Sequence, residues 1–270
     1  MRLRIRFAKR GKVRFTSHRD TARIWERALR RTGVPVAYSQ GFSPRPRISF
    51  GLALPTGYQS DGEYLDVEIP ADRWTPEGVA LAGPHDGTVH GVDELPRMLA
   101  DALPSGFDVH AVAPLEDRVE SLQEMVTACT WRFTIRDIDE ATARAAVADL
   151  LAAPTVLVER EHKGRTVVDD LRPAVGELTV IDADEHGVEL EATLPAKPRV
   201  VRPAELVTAL APGHELGVAT RRHQWIERDG TRREPLAIDR TATSEARGMR
   251  PVGVPRREVV GAPHVGARAS

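Results

Sequence analysis

The seven residues MRLRIRF (1–7) alternate strictly between two kinds of side chain. From Leu3 to Phe7 the odd-numbered residues are apolar, and from Arg2 to Arg6 the even-numbered residues are arginines. Successive side chains of a β-strand point to opposite faces. The stretch therefore predicts a half-buried strand with one arginine face, and it is the natural first strand of an α+β fold.

The residues that follow supply the other elements of one α+β unit. Ser17 is a good N-cap and Gly33 a good stop signal, so we expect a helix over 18–32. Further strands are predicted at 34–38, 47–53, 63–69 and 107–115, and a second helix at 93–103. Apart from the additional strand at 47–53, this order matches a split βαβ, or ferredoxin-like, unit.

The second half repeats this order. It predicts strands at 130–135 and 155–160, a hairpin at 176–195 that turns at 185–187, a helix capped by Asp137 or Asp139, and a helix at 202–212. We therefore expect an α+β protein with two ferredoxin-like units in tandem. The predicted domains are 1–115 and 128–220, and the polar, aperiodic tail 236–270 is expected to be disordered.

Charge is distributed unevenly along the chain. Residues 1–60 hold 14 basic and 2 acidic residues, whereas residues 61–160 hold 7 basic and 20 acidic residues. The N-terminal segment is thus about +12 in a chain whose net charge is −1. Such a block favours either a surface that binds a polyanion or halves that neutralise each other.

Several classes of protein are disfavoured by the composition. No apolar run reaches the roughly 18 residues of a membrane-spanning helix, and the charged N-terminus is unlike a signal peptide, so we expect a cytoplasmic protein without a membrane partner. The single cysteine, Cys129, excludes an intramolecular disulfide and a cysteine-ligated iron–sulfur cluster. We expect Cys129 to be a buried filler residue, and we predict no cofactor.

Four motifs in the N-terminal half are similar to those of a known bacterial family. They are F-x-S-H-x-D at 15–20, L-R-R at 29–31, S-x-G-F-x-P-x-P at 39–46, and L-P-x-G at 54–57 followed by G-E-Y-L-D at 62–66. Over about residues 3–70 the chain resembles the radical-SAM-associated, or radical-SAM-linked, proteins, a domain of unknown function. The resemblance implies a radical SAM protein as partner and supplies no reaction.

The helix at 18–32 carries a row of arginines that could bind phosphate groups. Arg19, Arg23, Arg27, Arg30 and Arg31 fall within one third of the helical circumference, opposite the apolar residues. Arginine matches the geometry of phosphate oxygens. A merely solvated face explains the same pattern, and both interpretations stay open.

The loop AYSQGFSPRPRISFG (37–51) is a second candidate binding element. Gly41 can adopt a positive φ, while Pro44 and Pro46 stiffen the chain that presents Arg45 and Arg47. Gln40 and Ser43 add hydrogen-bond donors, and the backbone amides of 40–43 could form an anion-binding nest. We expect this loop to bind phosphate or carboxylate.

The helix start could join this loop in one site. Ser17 and Asp20 are expected to cap the helix, and His18 and Arg19 lie where an anion is favoured. If the loop folds over the helix N-terminus, Lys12, His18, Arg19, Arg45 and Arg47 converge. Otherwise Asp20 is only a cap and His18 only a surface residue.

The arginines of the first strand have two explanations. They could face open solvent and bind RNA, although RNA-binding sheets of this kind use aromatic residues. Alternatively, Asp66 and Glu68 of the strand at 63–69 project onto the same face and form cross-strand ion pairs with them. The second interpretation is favoured.

Enzymatic motifs are weak in this sequence. A possible metal-ligand cluster, His85, Asp86, His90 and Asp93, lacks helical spacing, so we predict no metal site. We expect a non-catalytic accessory protein that binds RNA, tRNA or rRNA, and works with a radical SAM partner. The alternatives are a protein–protein adaptor without RNA binding and an RNA-modifying enzyme of unassigned reaction.

Overall fold

A computed structural model of the protein describes residues 1–83, 86–115, 120–162 and 164–236. These residues belong to one compact unit, Met1–Ala237. Except for Leu236, the tail 236–270 that was predicted to be disordered lies outside the described residues. None of the described helices is long and apolar enough to cross a membrane.

The N-terminal half contains most of the elements that its sequence pattern predicts. The helix at 18–32 is confirmed at both ends, and Leu65, Val67 and Ile69 are buried as expected. Its elements are β1 Arg2–Lys9, α1 His18–Thr32, β2 Ile48–Phe50, β3 Gln59–Glu68, β4 Trp74–Thr75, β5 Gly78–Ala80, β6 Val89–His90, α2 Leu95–Ala102 and β7 Phe107–Leu115.

The C-terminal half contains its predicted elements together with a short helix and three strands that were not predicted. Asp139 caps its first long helix by accepting the Thr142 amide at 2.9 Å, and the hairpin turns at 185–186. Its elements are α3 Leu122–Met125, β8 Ala128–Arg136, α4 Glu140–Ala152, β9 Leu157–His162, β10 Arg165–Asp170, β11 Glu177–Asp184, β12 Gly187–Pro195, α5 Pro203–Leu210, β13 Leu216–Arg228 and β14 Thr231–Arg233.

Nine of the described strands form one sheet that runs through both halves. Its main path is β11-β12-β8-β13-β3-β1-β7, with β2 beside β3 and β14 beside β13. All neighbours along it are antiparallel except β13 and β3, which pair in parallel at Thr220 with Gln59 and Arg221 with Ser60. A mixed α/β fold with one large sheet is thus confirmed, whereas the division into domains 1–115 and 128–220 stays a prediction.

Each half has its own hydrophobic core. In the N-terminal core, Phe7 of β1 packs against Trp25 of α1 with ring centroids 4.8 Å apart. In the C-terminal core, Trp131 and Phe133 of β8 pack with residues of α4 and α5. The helices therefore bury the apolar sides of the strands that the alternation identified.

Two of the differences from the sequence-based expectation concern the large sheet and the chain beside it. The stretch at 34–38 is not a strand; its last residue, Tyr38, makes only an isolated bridge with Pro46. Conversely, β13 was not predicted, because its sequence LGVATRRHQWIER mixes charged and apolar residues. This strand lies inside the sheet, where both of its edges are paired.

A buried ion pair joins the two halves beside the β13–β3 pairing. The Arg221 side chain is only 2% exposed, and its guanidinium donates to the Glu63 carboxylate at 2.7 to 3.0 Å. The same guanidinium donates to the Leu52 carbonyl at 2.7 Å and lies 5.4 Å from the centre of the Trp131 ring. Loss of either charged partner would leave an uncompensated buried charge.

We expect Glu63→Gln to lower the free energy of unfolding by about 3 to 5 kcal/mol, as for other broken buried pairs. The double variant Glu63→Leu/Arg221→Met should recover most of this loss, because it removes both charges. Urea denaturation measures both effects. As a control, Arg228→Ala breaks an exposed pair with Glu120 and should cost less than about 1 kcal/mol; an equally small effect of Glu63→Gln would contradict the assignment.

Candidate nucleic-acid interface

Helix α1 presents its arginines to solvent because both of its ends and its apolar side are held by the fold. Ser17 accepts the Asp20 amide at 3.1 Å, and Gly33 ends the helix with φ of 74°. A Cβ atom at Gly33 would lie 2.6 Å from the Ala82 carbonyl oxygen, so the turn requires glycine. Trp25 is fully buried under the helix, and the arginines on the other side are exposed: Arg19, Arg23, Arg27, Arg30 and Arg31.

Most of these arginines are not neutralised by an acid. The Arg23 guanidinium lies 3.6 Å from the Asp20 carboxylate, and both side chains are about half exposed. The other four make no ion pair or hydrogen bond to any residue that the structure describes. Elsewhere arginines are commonly paired, as Arg160 is with Asp169 at 2.5 Å. The positive charge of α1 is therefore available to an external anion.

The loop 37–47 is a narrow hairpin. Three hydrogen bonds close it: the Arg47 amide donates to the Ala37 carbonyl at 2.8 Å, the Ser39 amide to the Arg45 carbonyl at 2.9 Å, and the Arg45 amide to the Ser39 hydroxyl at 3.0 Å. Gly41, with φ of 123°, forms the turn. These hydrogen bonds explain the stiffness that was predicted for the loop.

Three exposed aromatic residues accompany the basic residues of this region. Phe42, at the tip of the hairpin, is fully exposed, and Phe15 and Tyr38 are 62% and 52% exposed. No other aromatic side chain in the described part of the chain is comparably exposed. The Arg14 guanidinium lies 4.6 Å from the centre of the Phe15 ring. Sequence patterns did not reveal these aromatics, because exposure depends on tertiary packing.

We call the exposed residues of α1, of the 3-10 helix Gly11–Phe15 that precedes it, and of the hairpin the basic surface. Its cations are Lys12, Arg19, Arg23, Arg27, Arg30, Arg31 and Arg45, and its aromatics are Phe15, Tyr38 and Phe42. Lys12 and Arg45 have no acidic partner among the described residues. Arg47 differs, because both of its hydrogen bonds from Nη1 go to the Glu68 carboxylate, at 3.0 and 3.1 Å.

The two ends of α1 have different neighbours. At the N-terminal end the His18 ring contacts Phe50 of β2 edge-on at 5.3 Å. At the C-terminal end Arg30 lines a cavity together with Tyr38 and Pro46 from the base of the hairpin. Within the described residues, no hydrogen bond, ion pair or ring contact joins the hairpin to His18. The structure therefore places the hairpin near the C-terminal part of α1.

The remaining predicted site residues lie at the start of α1 and in the hairpin, and two of the possible metal ligands lie in separate ion pairs. Ser17 and Asp20 form the cap, and the Ser17 hydroxyl also donates to the Asp20 carboxylate at 2.7 Å. The hairpin residues Gln40, Gly41, Ser43 and Pro44 are exposed. Of the possible metal-ligand cluster, Asp86 pairs with Arg73 and His90 with Glu94, whereas His85 lies outside the described residues.

Two of the three arginines on the polar face of β1, Arg4 and Arg6, are closed off from solvent. The Arg4 guanidinium donates to the Asp66 carboxylate at 2.8 and 2.9 Å and is 1% exposed. The cross-strand interpretation is therefore correct for Arg4 and for Arg2, whose guanidinium lies 4.0 Å from the Asp66 carboxylate. Glu68, in contrast, pairs with Arg47 instead of a β1 arginine. Phosphate binding by an open sheet is excluded for Arg4, because its charge is already compensated and buried.

Residues near the end of the described chain cover this face. The Glu234 carboxylate accepts a hydrogen bond from Arg6 at 2.5 Å and contacts the His223 Nδ1 at 2.6 Å. The Pro235 carbonyl accepts one from Arg4 at 3.3 Å. Burial raises the pKa of Glu234, but the bond to His223 and the charge of Arg6 outweigh it, so the pKa lies below its ordinary value of 4.5. Sequence reasoning missed this contact because Glu234 is 228 residues from Arg6.

We expect Glu234→Gln to lower the free energy of unfolding by about 2 kcal/mol at pH 7, because Arg6 and His223 would lose a charged partner. A lowered folded-state pKa contributes stability above the unfolded pKa, near 4.5, and that contribution is lost as the pH falls through the folded value. The difference from wild type should therefore shrink below pH 4.5 in denaturation curves. The exposed Glu185→Gln is the control; a Glu234→Gln effect that persists undiminished at acid pH would contradict this assignment.

Comparison with known proteins identifies a family but no activity. A sequence model of a family described as "Uncharacterized protein conserved in bacteria (DUF2344)" matches residues 2–82 and 85–203. No curated protein matches the chain. Since the match covers most of its length, the chain belongs to this family.

Proposed function

We propose that this family member binds single-stranded regions of RNA, in tRNA or rRNA, through its basic surface. The observation that carries the proposal is the coincidence of unpaired arginines with the most exposed aromatic side chains of the described chain. Arginines neutralise phosphates, and aromatic rings stack on unpaired bases. A surface that only solubilises the protein would need the charges but not the aromatics.

Single-stranded RNA suits this combination better than a duplex does. In duplex RNA the bases are stacked inside the helix, where an aromatic side chain such as Phe42 cannot reach their faces. Loops and bulges of tRNA and rRNA present splayed bases beside a charged backbone. The basic surface offers aromatic rings for the splayed bases and arginines for the charged backbone.

The second part of the proposal is an accessory, non-catalytic role beside a radical SAM protein in the cytoplasm. It rests on the resemblance of residues 3–70 to radical-SAM-associated proteins. Cys129, the only cysteine, is buried and cannot supply the three thiolates of a radical SAM cluster. The partner would carry the chemistry, and this chain would present the RNA.

We also propose that the two halves are ferredoxin-like units in tandem. The strand order β2-β3-β1-β7 in the first half supports this, as does β11-β12-β8-β13 in the second. Each order places the second, third, first and fourth strands of its half side by side, as a split βαβ unit requires. On this view β9 and β10 are an insertion in the second unit.

We expect RNA affinity to depend steeply on salt, falling about 10³-fold between 50 and 200 mM for several phosphate contacts. The double variant Arg27→Ala/Arg31→Ala should reduce the slope of log affinity against log salt by about 1.4, because about 0.7 is lost per contact on a single strand. Filter binding or fluorescence anisotropy measures the slope. Arg144→Ala, an exposed helical arginine of the other half, should leave it unchanged, and a flat wild-type response would refute RNA binding.

We expect Phe42→Ala to weaken binding of single-stranded RNA by about 1 to 3 kcal/mol, because one stacked base is lost. Its effect on thermal stability should be negligible, since the ring is fully exposed. Leu157→Ala removes an exposed apolar side chain in β9 and serves as the matched control. Equal RNA affinity of both variants and wild type would exclude Phe42 from the interface.

A protein–protein adaptor is the second candidate function. The fully exposed Phe42 favours it too, because an aromatic side chain beside arginines is typical of a protein interface. Charge reversal at Arg23 and Arg27 separates the two functions. An adaptor would lose co-purification of the radical SAM partner while its RNA content stays the same.

A further inference from the structure

A cavity of about 400 Å³ opens where α1 ends. Its walls come from the C-terminal turns of α1, from the base of the hairpin at Tyr38 and Pro46, and from Val34 and Ala82. A volume of this size is within the usual range for small-molecule pockets, and it is large enough for one nucleobase with part of its ribose. The cavity is part of the basic surface, because Arg30 and Tyr38 line it.

The walls of the cavity are held in place by backbone hydrogen bonds. The Ala82 amide donates to the Gly33 carbonyl at 2.8 Å, which fixes the floor against the end of α1. The Arg47 amide donates to the Ala37 carbonyl at 2.8 Å, which fixes the base of the hairpin. A ligand would therefore enter a formed pocket and lose little affinity to ordering of the protein.

One side chain of the cavity is unexpected on a cationic surface. Glu26 is half-buried in its wall, one helical turn from Arg23 and from Arg30. Nevertheless its carboxylate makes no ion pair or hydrogen bond to any residue in the described ranges. An unpaired carboxylate weakens attraction for phosphates, so on an RNA-binding surface it needs another role.

The chemistry of a carboxylate selects among the four bases. Its two oxygens accept hydrogen bonds and donate none. On the Watson–Crick edge, guanine offers two adjacent donors, N1–H and the N2 amino group. Adenine and cytosine each place an acceptor beside their donor, and uracil flanks its single donor with two acceptors. A carboxylate in a base pocket therefore matches guanine.

We propose that this cavity binds an unstacked guanine base of the RNA, with Glu26 accepting from N1–H and N2–H. The ring of Tyr38, which is half exposed in the wall, offers a face for stacking, and Val34 and Pro46 offer apolar contacts. Arg30 at the cavity attracts the adjoining phosphate. This inference rests on the proposed RNA binding and adds base specificity to it.

The test compares labelled octamers of uridine that carry one central guanine, adenine or cytosine, together with the all-uridine octamer. Fluorescence anisotropy of the full chain at fixed salt gives the four affinities. We expect the guanine octamer to bind about tenfold more tightly than the others, as for one bidentate base contact. In Glu26→Ala this ratio should fall to about one, because the guanine octamer loses its base contact. The affinities of the other three octamers should rise slightly, because a negative charge is removed.

The control variant is Glu68→Ala, which removes one negative charge from the same half of the protein but does not line the cavity. It should keep the tenfold preference. Tyr38→Ala should weaken the guanine octamer more than the uridine octamer, because the stacking wall is lost. Unchanged circular dichroism and melting temperature show that each variant is folded.

Four outcomes would overturn the guanine pocket. Equal wild-type affinity for all four octamers, or a guanine preference that survives Glu26→Ala, leaves RNA binding intact but removes base recognition by Glu26. No measurable binding of any octamer refutes RNA binding as well. Loss of the radical SAM partner in Tyr38→Ala, with all octamers bound as by wild type, assigns the cavity to a protein contact.

Discussion

The buried pair between Arg221 and Glu63 is the interaction on which the continuity of the sheet depends. Arg221 lies on β13 and Glu63 on β3, the two strands that pair in parallel where the halves meet. The pairing itself is short, so a buried charge left without its partner would cost most here, where few backbone bonds hold the strands together. Once the halves are joined in this way, α1 and the hairpin occupy defined positions on one composite framework.

The arginines of the N-terminal half fall into two groups. Some are paired with acids inside the protein, and the others are available to an external ligand. Arg4 and Arg6 lie on a sheet strand, where facing acids and the segment after β14 neutralise them. The arginines of α1 face solvent, where few acids are within reach. The N-terminal charge of about +12 is therefore used in two ways: some cations hold the fold together, and the others form the basic surface.

The hairpin adds aromatic side chains to the cations of the basic surface. Its hydrogen bonds hold Phe42 in solvent and Tyr38 beside the cavity, close to Arg30. Aromatic faces, cations and one unpaired carboxylate at Glu26 are thus combined within a short distance along the chain. Phosphates, unpaired bases and base edges each have a matching group on this surface, which is why RNA is the ligand we propose.

Local pattern alone determined most of the helices and strands and the charge of this protein. The cap at Ser17, the stop at Gly33 and the alternation in β1 are short-range features, and each was predictable because its physical cause lies within a few residues. Tertiary structure alone decided that Glu234 covers Arg6 on the polar face of β1, because Glu234 is distant in sequence. It also decided the inclusion of β13 in the sheet, the position of the hairpin beside the C-terminal part of α1, and the exposure of the aromatics, since burial and pairing depend on contacts between residues far apart in the chain.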